Sequence, residues 1–211
     1  MTKEIIEKCE MAVKEIYNTF DASHDWQHIK RVMENAKKIM QHEKANSFLV
    51  ELAILLHDVS DPKYRKQGED LETEIIESLG LSSTEKLEIR SIIGSVSFKG
   101  GQGIQAETIE ARIVQDADRL DAIGAIGIAR TFAFGGAKGR KLYDWQEEPR
   151  QNMSEEEYRS KPTSSVTHFY EKLLLLKDRM TTDAGKQIAE ERHQFMLSFL
   201  EQLQKETDGK A

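Results

Sequence analysis

The chain has 211 residues, of which 38% are hydrophobic and 32% are charged. This balance is typical of a folded, well-solvated protein and not of a disordered one, and the length suits a single domain over 1–211. The net charge of −7 provides no basic field, so we expect no nucleic-acid partner. A single cysteine, Cys9, excludes both an intramolecular disulfide and a thiolate metal cluster.

The hydropathy pattern points away from membranes. Residues 1–20 form an amphipathic stretch with interspersed acids, unlike a charged leader followed by an apolar run. No stretch approaches the roughly 18 apolar residues that a membrane helix needs. We therefore expect a cytoplasmic protein with no membrane partner.

Helical periodicity dominates the chain, and no stretch alternates as a strand does. The first two helices are predicted at 3–20 and from Ser23, as N-cap, through Ile39. The third, from Ser47 to near Asp58, is apolar nearly all round and is expected to be the buried central helix. Later helices are predicted at 69–79, after 82–84 to about 93, and at 108–129, 164–180 and 182–205, with loops at 97–103 and 134–163. The predicted fold is all-α, with a metal core over about 20–130, a flexible loop over about 134–163 and C-terminal helices over about 164–205.

Four side chains with metal-binding chemistry accompany these helices: His28, His57, Asp58 and Asp118. Neighbouring residues on a helix point about 100° apart, so His57 and Asp58 reach one ion only near a helix end, which is where they stand. Polar groups that leave so apolar a helix need partners, and a divalent cation satisfies imidazole and carboxylate together. A mixed nitrogen and oxygen set suits Mn²⁺, Mg²⁺, Fe²⁺ or Zn²⁺ and leaves positions for water and substrate oxygens.

The four residues match the H…HD…D pattern of the HD superfamily of metal-dependent phosphohydrolases. The chain resembles a bacterial subgroup of stand-alone HD proteins over nearly its whole length, through "SHDWQHIKRV", "HDVSDPKY", "SFKGG", "DADRLDAIGAIGIAR" and "SSVTHFYEKLLLLKDRM". The resemblance implies an all-α HD-domain bundle with a C-terminal helical extension. It also selects Asp118 over Asp116 and Asp121 as the last ligand, Asp121 being left to orient a ligand or to pair with Arg119.

The expected activity follows from what the resemblance implies about some members of this subgroup. They cleave nucleoside triphosphates to the monophosphate and pyrophosphate, commonly with Mn²⁺, so the resemblance implies a phosphorylated small molecule, a nucleotide, as substrate. Mn²⁺ is the expected ion, with Mg²⁺, Fe²⁺, Zn²⁺ and Ni²⁺ left open. HD enzymes with two metals carry extra histidines after the HD pair, and this chain has none between His57 and His168. One tightly held metal is therefore predicted, and a second ion that arrives with the substrate is left open.

Three further residues are predicted to act in catalysis. His24 and His28 stand four apart, as in zinc helices, but a zinc protease needs a glutamate after its first histidine and this chain has Asp25. His24 and Asp25 are instead predicted to steer a ligand or the attacking water, with a helix cap as the alternative. Asp61 is predicted to accept a proton from the metal-bound water or to position a second ion, the alternative being turn chemistry before Pro62.

Basic residues supply the predicted phosphate contacts, because a metal alone cannot neutralise a triphosphate. The "GGAKGRK" stretch of 135–141 resembles an anion-binding loop but lacks the serine or threonine that a P-loop carries after its lysine. His168 and Lys172, from the subgroup's C-terminal motif, are predicted to close over the substrate, with a helix-surface pair as the alternative. The full predicted set is Arg31, Lys63, Lys99, Arg119, His168 and Lys172, and ordinary ion pairs are the alternative for the first four.

Other functions remain open at this level. A nucleotidase or a phosphodiesterase acting on another nucleotide would use the same residues, since the sequence does not fix which phosphorus is attacked. An iron-dependent HD oxygenase would need a two-iron site and thus the missing histidines. A nucleotide-binding module without turnover is the third alternative, and a homodimer is also left open.

Overall fold

The computed structural model describes residues 2–21, 23–61, 64, 70–96, 106–150 and 163–210. Within these ranges the chain is helical and contains no strand, which confirms the all-α prediction. The helices are α1 (Thr2–Tyr17), α2 (Trp26–Met40), α3 (Ser47–Leu56), α4 (Leu71–Ser78), α5 (Ser83–Val96), α6 (Ile109–Asp121), α7 (Gly124–Ala137), α8 (Ser165–Glu171) and α9 (Asp183–Thr207), with 3₁₀ turns at Leu173–Leu175 and Lys177–Arg179 between the last two.

Contacts divide the chain into two compact units. The described residues up to Asp118 form the first unit, and those from Arg119 onward form the second, so the division falls inside α6. The single domain over 1–211 stays a prediction. No single helix among the described residues is long and apolar enough to cross a membrane; only α6 and α7 taken together across their break pass a test of length and composition.

Helix α3 forms the centre of the first unit, as its sequence predicts. Its residues from Leu49 to Leu56 are buried apart from Glu51, and the helix packs against α1, α2 and α5. An apolar helix of this kind has no solvent face to present, so neighbours must cover it on every side. Its carboxyl end therefore lies in the interior, and whatever follows Leu56 in the sequence is held there with it.

The start of α2 differs from the prediction. The N-cap is Asp25, not Ser23: the backbone of Asp25 is extended, and its carboxylate accepts a hydrogen bond from the backbone N–H of His28 at 3.0 Å. Ser23 lies two residues too early, and its own N–H donates to the Asp21 carboxylate at 2.8 Å. Both residue types are good caps, so position alone decided between them. Helix α1 likewise ends at Tyr17 and not at 20.

The helix predicted over 108–129 is two helices. Helix α6 ends at Asp121, Ile123 is extended, and α7 begins at Gly124, whose φ is +72°. A Cβ at Gly124 would stand 2.9 to 3.3 Å from carbons of the Arg192 side chain, and that side chain donates a hydrogen bond to the Leu120 carbonyl. The break therefore needs glycine for both its backbone conformation and its close packing.

The second unit is built on α7, α8 and α9. The rings of Phe132, Phe169 and Phe199, one from each helix, pack with centroids 5.8 to 6.1 Å apart. The helix predicted over 164–180 ends at Glu171, and 3₁₀ turns follow it. The loop predicted from 134 begins after Ala137 in the structure, and residues 151–162 lie outside the described ranges.

A buried carboxylate at the end of α8 accepts hydrogen bonds from two other segments of this unit. The side chain of Glu171 is 1% exposed, and its Oε1 accepts hydrogen bonds from the backbone N–H of Arg150 at 3.1 Å and from Arg150 Nε at 2.7 Å. Its Oε2 accepts from Arg150 Nη2 at 3.0 Å and from the Thr163 hydroxyl at 3.3 Å. Both carboxylate oxygens thus have two donors each.

Candidate metal centre

The structure brings the four predicted ligands together in the first unit. His28 projects from α2, His57 and Asp58 follow α3, and Asp118 lies on α6. Asp58 Oδ2 is 3.5 Å from His28 Nε2 and 3.4 Å from His57 Nε2. Asp118 Oδ1 is 3.6 Å from His28 Nε2 and 3.9 Å from His57 Nε2. Residues that are distant in sequence thus place two nitrogens opposite two oxygens.

The orientation of His57 follows from a hydrogen bond behind it. Its Nδ1 lies 2.8 Å from the carbonyl oxygen of Ile54, one turn back on α3. A carbonyl oxygen only accepts, so Nδ1 carries the proton and the neutral ring has its lone pair on Nε2. That Nε2 is buried, has no hydrogen-bond partner among the described residues, and faces Asp58 and Asp118. A lone pair facing carboxylate oxygens is favourable only with a proton or a cation between them.

Exposure changes across the cluster. The imidazoles of His28 and His57 are 0% and 1% exposed, whereas the carboxylates of Asp58 and Asp118 are 16% and 30% exposed. The nitrogens therefore form the closed base of the site and the oxygens form its open side. A ligand from solvent reaches the cluster past the carboxylates.

The pKa of Asp58 reflects its neighbours. Burial opposes ionisation of this carboxyl. With a proton in place of a cation on Nε2, the charge of His57, and after it a hydrogen bond from His28, outweigh burial and hold the pKa of Asp58 well below its ordinary value. Asp58 is therefore a carboxylate at neutral pH. An ionised oxygen acceptor beside imidazole nitrogens is the form in which these groups bind a divalent ion.

The donor set fits such an ion. Ligand atoms of His28, His57 and Asp58 all lie within 4.8 Å of one another. Donors about 2.1 Å from one ion are about 3.0 Å apart at octahedral angles and about 3.4 Å apart at tetrahedral angles. The observed nitrogen–oxygen distances of 3.4 to 3.9 Å are at or slightly above these values. Small side-chain movements would therefore bring all four donors onto one centre.

Two buried polar side chains hold α2, α3 and α6 in place around the cluster. The Tyr17 hydroxyl donates to the Leu55 carbonyl at 3.0 Å and accepts from the Asp58 backbone N–H at 3.4 Å, so it fixes the turn that carries His57 and Asp58. Asn35 Nδ2 donates to the Ala117 carbonyl at 3.1 Å, beside Asp118. Sequence reasoning missed both roles. For Asn35 a signal existed, because an amide two turns after His28 lies on the buried face of α2.

Near the cluster, the three predicted catalytic residues occupy distinct places. The His24 ring lies edge-on to the His28 ring, with centroids 5.8 Å apart. Asp25 caps α2, which is the alternative that the sequence left open. Asp61 lies in the turn after Asp58, its N–H donating to the Asp58 carbonyl at 3.0 Å. Their catalytic roles stay predictions.

Among the predicted phosphate partners, Arg31 lies half-buried on α2, while Lys63 and Lys99 lie outside the described residues. In the second unit, Arg119 Nη1 donates to the Arg179 carbonyl. His168 is half-buried on α8 and Lys172 is its C-cap. Substrate binding by these six residues also stays a prediction.

The other two aspartates of "DADRLD" are buried. Asp116 is 0% exposed and lies in the first unit. Asp121, in the second unit, forms an ion pair with Arg130 at 2.7 Å, whereas the sequence had offered Arg119 as its partner. Asp118 is thus the member of the trio that joins His28 and His57.

Comparison with known proteins agrees with this geometry. Residues 25–123, which include all four side chains of the cluster, match the HD domain. YpgQ from Bacillus subtilis is 40% identical over 202 residues, which cover 93% of this chain and 91% of YpgQ. The chain belongs to the HD superfamily. As an HD protein with the complete H…HD…D set, it is an HD-type metal-dependent phosphohydrolase.

Solved structures extend the similarity to nearly the whole chain. An HD-superfamily hydrolase from Bacillus thuringiensis is 43% identical with a TM-score of 0.77, and a protein from Lactobacillus plantarum is 32% identical with a TM-score of 0.87; each alignment covers 99% of both chains. The structure of YpgQ in complex with ADP is 37% identical with a TM-score of 0.73, over 98% of this chain and 97% of YpgQ.

Proposed function

We propose that this HD protein hydrolyses nucleoside triphosphates, ribo or deoxy, to the monophosphate and pyrophosphate. The observation that carries the proposal is the meeting of His28, His57, Asp58 and Asp118, with the His57 Nε2 lone pair buried and facing two carboxylate oxygens. We assign the four side chains as ligands of one divalent ion. When bound, such an ion lowers the pKa of water and polarises a phosphoryl oxygen.

The remaining catalytic roles fall to residues around the cluster. Asp61 is held by the turn after Asp58. We assign it as the group that accepts the proton that the attacking water loses. His24, beside His28, orients that water or the substrate. The Asp25 carboxylate keeps the first turn of α2 in place and thereby fixes the position of His28. The open side of the cluster, formed by Asp58 and Asp118, is where the phosphates would enter.

A nucleotide substrate is supported by similarity, and the charge of the chain sets what its binding requires. YpgQ, which shares 37% identity with this chain over nearly its full length, has been crystallised with ADP. The net charge of −7 would repel a triphosphate, so local cations must bind it. We propose Arg31 from the first unit, with Lys63, Lys99, Arg119, His168 and Lys172, as the residues that contribute.

We propose Mn²⁺ as the ion. Two imidazole nitrogens disfavour Mg²⁺, which prefers oxygen ligands, and two carboxylates with room for further oxygens suit Mn²⁺. The expected cytoplasmic location and the open matter of a homodimer stay predictions.

The test is a panel of ribo- and deoxynucleoside triphosphates incubated with Mn²⁺-loaded protein, with separate assays for pyrophosphate and orthophosphate. Pyrophosphate in equal amount to the monophosphate is expected. Orthophosphate alone would replace the proposal with a phosphatase or nucleotidase, and tight nucleotide binding without products would replace it with a binding module.

An Asp58→Asn variant is the matched control for this panel. It removes one negative charge from the cluster while keeping the size of the side chain, so hydrolysis by a contaminating enzyme would persist in it. Loss of pyrophosphate release in this variant, with an unchanged circular-dichroism spectrum, is the expected result. Equal release by both proteins would contradict the assignment of the site.

A further inference from the structure

Tyr64 is held at three points by the segment that connects α1 to α2. Its ring stacks on Phe20 with centroids 4.0 Å apart, its hydroxyl donates to Asp21 Oδ2 at 2.6 Å, and the same hydroxyl lies 3.0 Å from His24 Nδ1. Tyr64 lies six residues after Asp58 in the chain, and its N–H donates to the Asp61 carbonyl at 2.9 Å, so its backbone is joined to the turn after Asp58. The phenol therefore links the turn after His57 and Asp58 to the imidazole beside His28.

The proton positions in this group follow from counting donors. A phenol has one proton, and the short bond to Asp21 uses it, so the phenol oxygen can only accept from His24. The second oxygen of Asp21, Oδ1, lies 3.6 Å from the same His24 Nδ1 and is also an acceptor. Because Nδ1 faces two acceptors, Nδ1 carries the proton. The lone pair of the neutral His24 ring is then on Nε2.

The pKa shifts of the two acidic groups agree with this assignment. Burial, and then the hydrogen bond to Asp21, raise the pKa of Tyr64, so the phenol keeps its proton. Burial also raises the pKa of Asp21, but the hydrogen bonds from Tyr64 and Ser23 outweigh burial and bring the pKa of Asp21 below its ordinary value. Asp21 is thus the ionised acceptor and Tyr64 the neutral donor.

The tautomer decides what His24 can bind. An Nε2 lone pair accepts a hydrogen bond from water but cannot bond a phosphoryl oxygen, which is itself an acceptor. We propose that Asp21 and Tyr64 are positioning residues that fix His24 with its proton on Nδ1, so that His24 orients the attacking water and not the phosphate. This inference rests on the proposed function for its catalytic meaning, but the tautomer is a property of the protein without substrate.

The first experiment reads the tautomer directly. Full-length protein labelled with ¹⁵N-histidine and loaded with diamagnetic Zn²⁺, which accepts mixed nitrogen and oxygen ligands, is examined by long-range ¹H–¹⁵N correlation, and His24 is assigned by its loss in a His24→Gln variant. Wild-type protein should show a protonated Nδ1 and an unprotonated Nε2 at His24. Tyr64→Phe should shift this pattern toward a mixture of tautomers. A wild-type His24 with its proton on Nε2 would overturn the inference, whether or not the protein hydrolyses nucleotides.

The second experiment is a double-mutant cycle on hydrolysis with His24→Ala and Tyr64→Phe. Because Tyr64 acts through His24, Tyr64→Phe alone should lower kcat about tenfold with little change in KM or in Mn²⁺ affinity, as loss of an outer-shell partner does. In the His24→Ala background the same change should lower kcat less than twofold. A further tenfold loss in that background would show that Tyr64 acts independently and would overturn the inference.

Controls separate positioning from folding. Tyr143→Phe removes the hydroxyl of an exposed tyrosine in the second unit and should leave kcat unchanged. Asp21→Asn should reproduce the kcat loss of Tyr64→Phe, because it removes the ionised acceptor but keeps the size of the side chain. Full kcat in both Tyr64→Phe and Asp21→Asn would refute the positioning role. If wild-type protein hydrolyses no nucleotide, the proposed function fails and the tautomer measurement still stands.

Discussion

Two polar clusters, one in each unit, place carboxylates next to nitrogens. They differ in how completely their polar atoms are hydrogen-bonded. At the end of α8, the two oxygens of Glu171 receive four hydrogen bonds from Arg150 and Thr163. In the first unit, Asp58 and Asp118 face the Nε2 of His57, which has no hydrogen-bond partner among the described residues. The Glu171 carboxylate is less exposed than those of Asp58 and Asp118. The Glu171 cluster is satisfied by its own donors, whereas the cluster of the first unit leaves a buried nitrogen without a hydrogen-bond partner among the described residues.

This difference in hydrogen bonding indicates a structural role for the Glu171 cluster and a functional role for the cluster of the first unit. A buried polar group that lacks a partner costs free energy, so proteins keep one only where something else satisfies it. The Glu171 cluster needs nothing further and should contribute to stability alone. The cluster of His28, His57, Asp58 and Asp118 should contribute little to the stability of the metal-free protein and gain its stabilising effect with the ion.

The largest expected effect is the loss of metal in His57→Ala. Removing one imidazole of the closed base should weaken Mn²⁺ binding by more than about a thousandfold and abolish hydrolysis, because each ligand contributes to the binding free energy of one ion. Calorimetric titration with Mn²⁺ measures the affinity. Glu171→Gln should bind Mn²⁺ as the wild type does. If His57→Ala bound Mn²⁺ with wild-type affinity, the claim that only the cluster of the first unit binds an ion would be wrong.

The next largest effect is on stability and belongs to Glu171→Gln. Replacing the carboxylate leaves Arg150 without its ionic acceptor and should lower the free energy of unfolding by about 2 to 3 kcal/mol at neutral pH. Urea titration of the metal-free protein measures it. Asp58→Asn should change the same quantity by less than about 1 kcal/mol, since it removes repulsion as well as attraction. If Asp58→Asn lowered the free energy of unfolding more than Glu171→Gln does, the cluster of the first unit would be the more important one for stability, contrary to the comparison.

The stabilisation by Glu171 should depend on pH with a definite sign. Burial opposes ionisation, but the hydrogen bonds and charge of Arg150 outweigh it and lower the pKa of Glu171 below its ordinary value of 4.5. The folded state therefore binds fewer protons here than the unfolded state, so the stabilisation is complete above the unfolded pKa and is lost as pH falls through the folded pKa. The difference between wild type and Glu171→Gln should narrow as the pH is lowered below about 4.5.

The smallest expected effect belongs to Tyr17→Phe and tests whether the turn after α3 has to be held in place for metal binding. Tyr17→Phe removes a donor to the Leu55 carbonyl and an acceptor of the Asp58 N–H. It should cost about 1 to 2 kcal/mol of stability and weaken Mn²⁺ binding severalfold, because the backbone that carries both ligands loses a fixed point. Urea titration and Mn²⁺ calorimetry on one preparation test both. An unchanged Mn²⁺ affinity, with the stability loss present, would make Tyr17 a core residue only.

The sequence predicted the all-α fold from local periodicity. It predicted the convergence of the four side chains from the end of an apolar helix and from the resemblance to the HD superfamily. An apolar helix that ends in "HD" has to leave both polar groups at an interior helix end, and the superfamily pattern adds His28 and Asp118. The break at Gly124 was not predictable in the same way, since it depends on the packing of Arg192 against that glycine from elsewhere in the second unit.

The supporting contacts lay beyond sequence reasoning for the same reason. Tyr17 bonds a carbonyl 38 positions later, and Asn35 bonds one 82 positions later. Tyr17 looks like one more member of the α1 apolar stripe until its hydroxyl is located. Pairing over such separations is decided by tertiary packing, which periodicity and spacing do not encode.

If the four side chains bind an ion as proposed, the difference in exposure across the cluster sets the order in which an arriving ion meets its donors. Oxygen comes first, from Asp58 and Asp118, and nitrogen second, from the two imidazoles at the base. Departure has to run in reverse, so a bulky chelator can compete only for the outer half of the coordination shell. Stripping the protein should therefore be slow even when the chelator is much the stronger binder, and small chelators should act faster than large ones of equal strength.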